Sequence, residues 1–231
     1  GGSDPYPAGW ALEYSNTTRK VKLKICKDNY CDWHGAGTAS VSSNTALTPG
    51  VWTHIEAVHK DGESLSIYIN GKLENTVSYT QGLNPTPPSL AFGSNTNNSC
   101  TSFKGAIDEA KVYNYARNAE QVLEDMNSGH PAGGSPNPSE LLYYKLDEGY
   151  GNQAANSGNA GSAFVAALNN FSVPATETSG WQRNGRFGKG LALDGNNDYL
   201  SVADSDLLSF GNGSSDFPFS LSLWVKLNSN A

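Results

Sequence analysis

One short turn of the sequence gathers oxygen-bearing side chains as a cation-binding loop does. Asp194 and Asp198 enclose Gly195, Asn196 and Asn197. Ca²⁺ takes about six to eight oxygen ligands from carboxylates, amides and carbonyls, and such turns supply them. The same residue types also form Asx turns, in which a side chain bonds its own backbone. The turn therefore predicts either a calcium site with ligands at Asp194 and Asp198 or a purely structural loop.

Motifs for nucleophilic, zinc-hydrolytic or phosphate chemistry do not occur in the sequence. It contains neither GxSxG nor HExxH, and it has no glycine-rich phosphate loop. The four histidines are scattered, and His54 and His59 share a predicted strand with Trp52, where packing or hydrogen bonding is the simpler role. We therefore expect that the chain is not an enzyme.

Three cysteines and three sequons are sites of covalent modification if the chain is extracellular. Cys26 and Cys31 flank four residues that we expect to form a tight loop, so we predict a disulfide across it in an oxidising compartment. Cys100 is left as the odd cysteine, either a free thiol or an alternative partner. Potential N-glycosylation sequons of the Asn-x-Ser/Thr type stand at Asn16, Asn170 and Asn212.

The composition argues against two classes of partner. The net charge is −7, with 15 Lys and Arg against 22 Asp and Glu, whereas nucleic-acid binding needs clustered cations. The one basic run, at residues 19–24, alternates with apolar side chains and fits the solvated face of a strand. No stretch approaches the roughly 20 apolar residues of a membrane helix. We expect neither nucleic-acid binding nor membrane insertion.

Short alternating segments bounded by turn residues dominate the chain and predict an all-β protein. Asn70-Gly71 is a strong two-residue hairpin signal, because both positions favour positive φ. The predicted strands are Trp10–Tyr14, Val21–Cys26, Trp52–His59, Leu65–Ile69, Thr76–Tyr79, Leu90–Gly93, Gly105–Tyr113, Leu141–Leu146, Gly190–Leu193, Tyr199–Val202 and Phe217–Leu227.

One helix and one linker interrupt this pattern. Asn118 is a candidate N-cap for a short helix that would bury Val122, Leu123 and Met126. Residues 128–138 are rich in proline and glycine, and we expect them to link two segments of the chain.

Several segments together resemble the laminin-G-like, concanavalin A-like jelly-roll superfamily. The closing part of such a domain is similar to GVWTHIEAVHKDGESLSIYINGKL and FKGAIDEAKVYNYARNAEQVLEDM. Its opening part is similar to LLYYKLDEGYGN, GWQRNGRFGKGLALDGNNDYLSV and FSLSLWVKL. The resemblance implies a two-sheet antiparallel jelly-roll sandwich with one short helix.

The order of these parts is reversed relative to the family. Residues 1–127 resemble the C-terminal half of the sandwich, residues 128–138 the linker, and residues 139–231 the N-terminal half. The end of the chain also reads into its beginning as strand, polar loop and strand. We therefore expect one complete domain, formed within a permuted chain or between neighbouring repeats of a tandem array.

The resemblance also implies where ligands would bind. Members often place a structural calcium ion between the closing strand and the opening turn, which adds Asp108 and Asp147 to Asp194 and Asp198 as predicted ligands. Sandwich lectins present aromatic platforms from loops, so Tyr30 and Trp33 are the candidates for stacking on a sugar ring. The carboxylate strand Glu-x-Asp-x-x-Glu of the glycoside hydrolases with this fold is absent.

Two functions remain open at this point. The first is a non-enzymatic extracellular structural or adhesive protein, one repeat of an array or filament whose partners are neighbouring copies of itself. The alternative is a calcium-dependent carbohydrate-binding module whose partners are cell-surface or matrix glycans. The same fold serves both functions, so the resemblance does not separate them.

Overall fold

The structure is a computed structural model that describes residues 9–26, 38–83, 90–94, 102–127, 140–211 and 216–228. Its α-helix, α1, spans Ala119–Met126, and a 3-10 turn spans Asp206–Leu208. The strands are β1 Gly9–Tyr14, β2 Val21–Cys26, β3 Thr38–Ser42, β4 Trp52–Lys60, β5 Ser64–Ile69, β6 Lys72–Ser78, β7 Ala91–Phe92, β8 Lys104–Tyr113, β9 Leu142–Tyr144, β10 Gln153–Ala154, β11 Ala166–Asn169, β12 Gly180–Gln182, β13 Gly190–Asp194, β14 Tyr199–Val202 and β15 Phe219–Leu227.

The largest sheet interleaves strands from the two ends of the chain. Its order is β12-β13-β8-β15-β4-β5-β6, and β9 also pairs with β8. The central strand β15 is antiparallel to β4 on one side, with Leu223 opposite Ile55, and to β8 on the other, with Val225 opposite Ile107. Residues from beyond position 140 therefore occupy the middle of a sheet whose neighbouring strands come from before position 127.

Alternation along β15 explains why this strand lies inside the molecule. Phe219, Leu221 and Val225 belong to the apolar core, as side chains two residues apart share one face of a strand. The opposite face carries Ser222 and Trp224, which are also buried. A strand covered on both faces must bond a neighbour at each edge, and β15 does so.

Two smaller sheets complete the core. The first has the order β1-β2-β3 and the second the order β10-β11-β14-β7. Strands β2 and β3 lie against β5, and one apolar cluster includes side chains from all three sheets, such as Ile25, Ile67 and Leu200. All strand pairs in the described ranges are antiparallel, and the expected all-β jelly-roll sandwich with one short helix is confirmed.

Local sequence signals set the turns as predicted. Asn70 and Gly71 have φ values of +50° and +76° and join β5 to β6 by a two-residue turn. The Asn118 side chain accepts from the Gln121 N–H, and the Gln121 side chain accepts from the Asn118 N–H, which completes a capping box at the start of α1. None of the helices in the described part of the chain is long and apolar enough to cross a membrane.

The buried face of α1 differs from the predicted one. Val122 is buried as expected, but Leu123 is 46% exposed and Asp125 is buried at 2% exposure. The prediction for Leu123 was wrong because the helix docks through a charged side chain, and this rotates Leu123 toward solvent.

Candidate functional site

Asp108 organises one turn of the opposite half of the chain. It lies fully buried on β8 beside Glu109, whose φ of +52° marks an irregularity in the pairing of β8 with β15. Its Oδ2 accepts from the backbone N–H groups of Arg186 at 2.7 Å and Phe187 at 2.9 Å. Its Oδ1 accepts from the Glu109 N–H at 2.9 Å. Both oxygens of the Asp108 carboxylate therefore accept hydrogen bonds from backbone N–H groups.

Burial and hydrogen bonding act in opposite directions on this carboxyl group. Burial raises the pKa of Asp108 to about 7, and the Glu109 charge adds to the rise, while the N–H groups of Phe187 and Arg186 oppose it. A carboxyl group with this pKa titrates near neutrality, where its ionised form fits the three donors best.

Asp147 holds the same turn from another element. Its Oδ1 accepts from the Lys189 N–H at 2.7 Å, and Asp147 itself is exposed. The turn at residues 185–189, which we call the clasped turn, therefore donates backbone hydrogen bonds to two carboxylates that are far apart in sequence. Arg186 lies over the Trp224 ring at 4.4 Å, so the clasped turn also covers the outer face of β15.

Asp194 and Asp198 build a separate turn. Asp194 accepts from the Asn196 backbone N–H at 2.8 Å and from its side-chain amide at 2.9 Å, which is the geometry of an Asx turn. Asp198 is buried and accepts from the Asp194 N–H at 3.1 Å. Burial raises the pKa of Asp198, and the Ser179 hydroxyl and the Asp194 N–H oppose that rise.

These four aspartates lie in pairs at two turns. Asp108 and Asp147 meet at the clasped turn, and Asp194 and Asp198 meet at their own turn. The oxygens named above accept hydrogen bonds, whereas Asp198 Oδ1 is buried and has no partner among the described residues. Within the described ranges, no three His, Cys, Asp or Glu side chains are grouped as a metal ion requires. The hydrogen bonds show structural turns at both places, and calcium binding stays a prediction.

The other predicted sites are only partly visible. Tyr30, Trp33, Cys31 and Asn212 lie outside the described residues, and Cys26 ends β2 with its side chain likewise outside them. The sugar platform and the disulfide therefore stay predictions. Two of the three sequon asparagines are described and both are exposed: Asn16 and Asn170.

A buried charged cluster beneath α1 was not predicted from the sequence. Asp125 accepts from Lys111 Nζ at 3.0 Å and Arg117 Nε at 2.9 Å, and the Tyr113 hydroxyl also donates to it. The Arg117 guanidinium lies over the Tyr113 ring at 4.4 Å and also donates to the Gln121 carbonyl. We call these residues the helix anchor; one signal that could have indicated it is the acidic residue one turn beyond a helical apolar position.

Two ionisable groups of β4 lie next to the helix anchor. Glu56 is fully buried, with Arg117 Nε 3.9 Å from its Oε1, and burial followed by the Asp125 charge raises its pKa. His54 Nε2 lies 2.9 Å from the Ser222 hydroxyl. Burial lowers the pKa of His54 to about 3, so the ring is neutral. Because these side chains have no exposed surface, we assign them to stability rather than to catalysis; the expected hydrogen-bonding role of His54 is confirmed.

A glycine in the clasped turn offers a direct test of its role. A Cβ atom at Gly185 would overlap the Lys189 carbonyl and lie 2.6 Å from Asp108 Oδ2. We expect Gly185→Ala to lower the free energy of unfolding by about 1–2 kcal/mol, measured by urea denaturation. The matched control is Gly82→Ala, whose Cβ would meet its nearest neighbour at an ordinary 3.5 Å. Equal losses in the two variants would contradict the structural role of the clasped turn.

Comparison with known proteins assigns the family. The laminin G type model of the concanavalin A-like lectin/glucanases superfamily matches residues 4–123, just over half of the chain. Searches of curated proteins and of solved structures return no significant match. The matched region contains β4, β5 and β8, which form the large sheet together with β15. The chain belongs to the concanavalin A-like lectin/glucanases superfamily, of the laminin G type.

Proposed function

We propose that the chain is a non-enzymatic structural or adhesive module that works outside the cell in series with further copies of itself. The observation that carries the proposal is the position of β15 between β4 and β8. The closing segment of the family fold precedes the opening segment here, yet the two are interleaved in one sheet. Equivalent segments of adjacent copies would fit together in the same way.

The two segments depend on each other for their cores. Besides β15, strands β13 and β9 from the later segment both pair with β8, and β14 pairs with β7. Taking the later segment away would expose the core-facing sides of Ile55 and Ile107 and leave edges of β4 and β8 unpaired. A segment that is incomplete alone provides a specific binding surface for its complement.

The connection between the segments is long enough to serve either arrangement. Asp125 and Glu140 both approach the Tyr113 hydroxyl, Glu140 at 3.5 Å, so the two ends of the connection meet at one side chain. Fourteen residues, 126–139, lie between these two positions. A chain of this length can extend to roughly 45 Å, far more than closure within one copy needs. The same connection could therefore pass to a neighbouring module.

An extracellular location is consistent with the surface of the module. Asn16 and Asn170, both in glycosylation sequons, are exposed and accessible to modification. Charged residues make up 16% of the chain, and the surface turns are rich in Asn, Ser and Gly.

Calcium binding is a separate part of the proposal. Addition of CaCl₂ should raise the melting temperature of the protein. A melting temperature that is the same with CaCl₂ and with chelator would contradict calcium binding.

A two-copy chain tests the array directly. Two copies are joined end to end, and a protease recognition sequence is inserted between Gly133 and Gly134 of each copy. Cleavage then yields three pieces, of which the middle one holds the later segment of the first copy and the earlier segment of the second. If modules form across the junction, the middle piece elutes as a free folded monomer on native size-exclusion chromatography.

Pairing of segments within each copy would give a different elution. If segments pair only within each copy, the middle piece binds one segment of each flanking copy, and all three pieces elute together. That outcome would contradict the array, and the module would then be a permuted single domain.

A further inference from the structure

Exposed carboxylates gather at the end of the sandwich where β15 begins. Here Phe219 pairs with His59 of β4 and stacks on Phe210 at 4.8 Å, so the turn after β4 and the loop after β14 meet at this end. Three carboxylates on these two segments are exposed and make no hydrogen bond or ion pair with another described residue: Asp61, Asp204 and Asp206. We call this surface the acidic end.

Cations gather at the opposite end, where β15 finishes. Leu227 pairs there with Gly105, and its carbonyl accepts from the Gly50 N–H at 2.9 Å. The Tyr14 ring contacts the Phe103 ring edge-on at 6.1 Å, which brings the turn between β1 and β2 to the same end. Four cations at this end form no ion pair with another described residue: Arg19, Lys20, Lys104 and Lys226. We call this surface the cationic end.

Charges of the opposite sign at each end already have partners within the module. At the acidic end, Lys60 pairs with Glu63 at 2.7 Å. Four carboxylates near the cationic end accept from a cation or from hydrogen-bond donors of their own module: Glu13, Glu74, Asp194 and Asp198. Within the described part of the sandwich, the charges left without such a partner therefore have one sign at each end.

Both ends also expose apolar side chains that a partner could cover. Leu207 and Phe217, at the acidic end, are 51% and 52% exposed. Val51, which follows Gly50 at the cationic end, is 51% exposed. Exposed charges alone contribute little free energy in salt, whereas burial of apolar area stabilises a contact at any ionic strength. Each end thus combines charge with apolar area.

We infer that modules dock end to end, with the cationic end of one against the acidic end of the next. The partner of each end is a second copy of this chain, because one copy carries both complementary surfaces. Two like ends would repel each other, so the contact is head to tail. This inference rests on the proposed function, in which copies work in series, and it adds the surfaces through which whole modules meet.

The connection between segments permits this arrangement. The nine residues of β15 run from one end to the other and span roughly 30 Å. Residues 126–139 can extend to roughly 45 Å, so they can pass along a module to its far end. Tethered neighbours also meet at an effective concentration of about 1 mM, so a weak contact is enough to order the array.

Sedimentation velocity of the intact single-copy chain measures the contact. At about 20 mM NaCl, the weight-average sedimentation coefficient should rise with protein concentration up to about 1 mM. At about 500 mM NaCl the self-association should weaken at least about tenfold, because salt screens charges across the interface.

Two charge reversals make the test specific to the two ends. Arg19→Glu with Lys226→Glu leaves both ends acidic, and Asp204→Lys with Asp206→Lys leaves both ends cationic. Each variant alone should associate at least about tenfold more weakly than the wild type, because like ends face each other. An equimolar mixture of the two should associate within about threefold of the wild type, because opposite ends meet again. Exchange of segments between chains would respond to neither reversal.

Lys145→Glu is the control, since Lys145 is exposed but lies beside Tyr144, which pairs with Ala110 within β8 and away from both ends. It should associate as the wild type does, and thermal melting checks that every variant is folded. Three results would each overturn the inference: no association of the wild type up to about 1 mM, reversed variants that associate as the wild type does, or a mixture that does not recover association. The two-copy cleavage reports on the pairing of segments, and these variants report on contacts between whole modules, so either can fail alone.

Discussion

Replacing Asp125 by alanine should lower the free energy of unfolding by about 3–5 kcal/mol. Asp125 is 2% exposed, and Lys111 and Arg117, which donate to it, are buried as well. Without Asp125, two cations would remain in the interior with too little negative charge beside them. Removing one partner of a buried pair costs more than the pair contributes, because the remaining charge is desolvated. Urea denaturation monitored by tryptophan fluorescence measures the loss.

The exposed pair Lys60–Glu63 provides the matched control. Its atoms approach to 2.7 Å, closer than those of the ion pairs of Asp125 with Lys111 and Arg117, but the side chains are 56% and 59% exposed. Water screens such a pair, so Glu63→Ala should change the free energy of unfolding by less than about 1 kcal/mol. If Asp125→Ala cost no more than Glu63→Ala, the helix anchor would not hold α1 to the sheet.

Mild acid should lower the free energy of unfolding, because His54 takes up a proton in the unfolded state but not in the folded state. Burial lowers the pKa of His54 to about 3, opposed by the Asp125 charge and assisted by the Lys111 charge. In the unfolded chain the pKa is the ordinary 6.5. Between these two pH values, His54 is protonated in the unfolded state and neutral in the folded state. The stabilisation is therefore complete above pH 6.5 and is lost as the pH falls toward 3.

The expected size follows from the linkage relation. Each pH unit inside this window costs about 1.4 kcal/mol, so His54 alone accounts for about 2.5 kcal/mol between pH 7 and pH 4.5. His54→Gln can still bond the Ser222 hydroxyl but does not titrate. Between pH 7 and pH 4.5, its free energy of unfolding should therefore fall by about 2.5 kcal/mol less than that of the wild type. Denaturation series at several pH values measure both proteins. Parallel curves would mean that the pKa of His54 is the same in the folded and unfolded states.

The helix shows what the sequence could and could not predict. Asn118 as N-cap followed from residue type and spacing alone, and the capping box forms as such patterns predict. The buried face did not follow, because an aspartate in a short helix is normally assigned to solvent. Asp125 is buried since Lys111 on β8 and Arg117 before the helix meet it there, and those contacts depend on the tertiary fold.

Some strands, too, could be predicted from the sequence and others could not. Long alternating segments such as β5 and β15, and the Asn70-Gly71 turn, were predictable from local patterns. Four strands were missed: β3, β10, β11 and β12. The two-residue strand β10 and the three-residue strand β12 are too short to carry a periodicity. Both are held by pairing with a longer neighbour, β11 and β13 respectively.

The candidate sites were harder to predict than the fold. Asp108 and Asp147 were chosen for calcium by resemblance, and the structure brings both to the clasped turn, where backbone N–H groups occupy them. The exposure of Tyr150, at 79%, was missed because nothing in the local sequence distinguishes an exposed tyrosine from a buried one. Tyr144, six residues earlier, is 1% exposed.

The central claim is that the segments before and after the linker form one sandwich around β15. Native mass spectrometry of a single-copy chain, cut at a protease sequence inserted between Gly133 and Gly134, tests it most directly. We predict that both fragments remain in one particle with the mass of the whole chain, 24.5 kDa plus the inserted sequence, or in a symmetric multiple of it. They should separate only in denaturant. A fragment of residues 1–133 that is folded, monomeric and free of its partner would contradict the account.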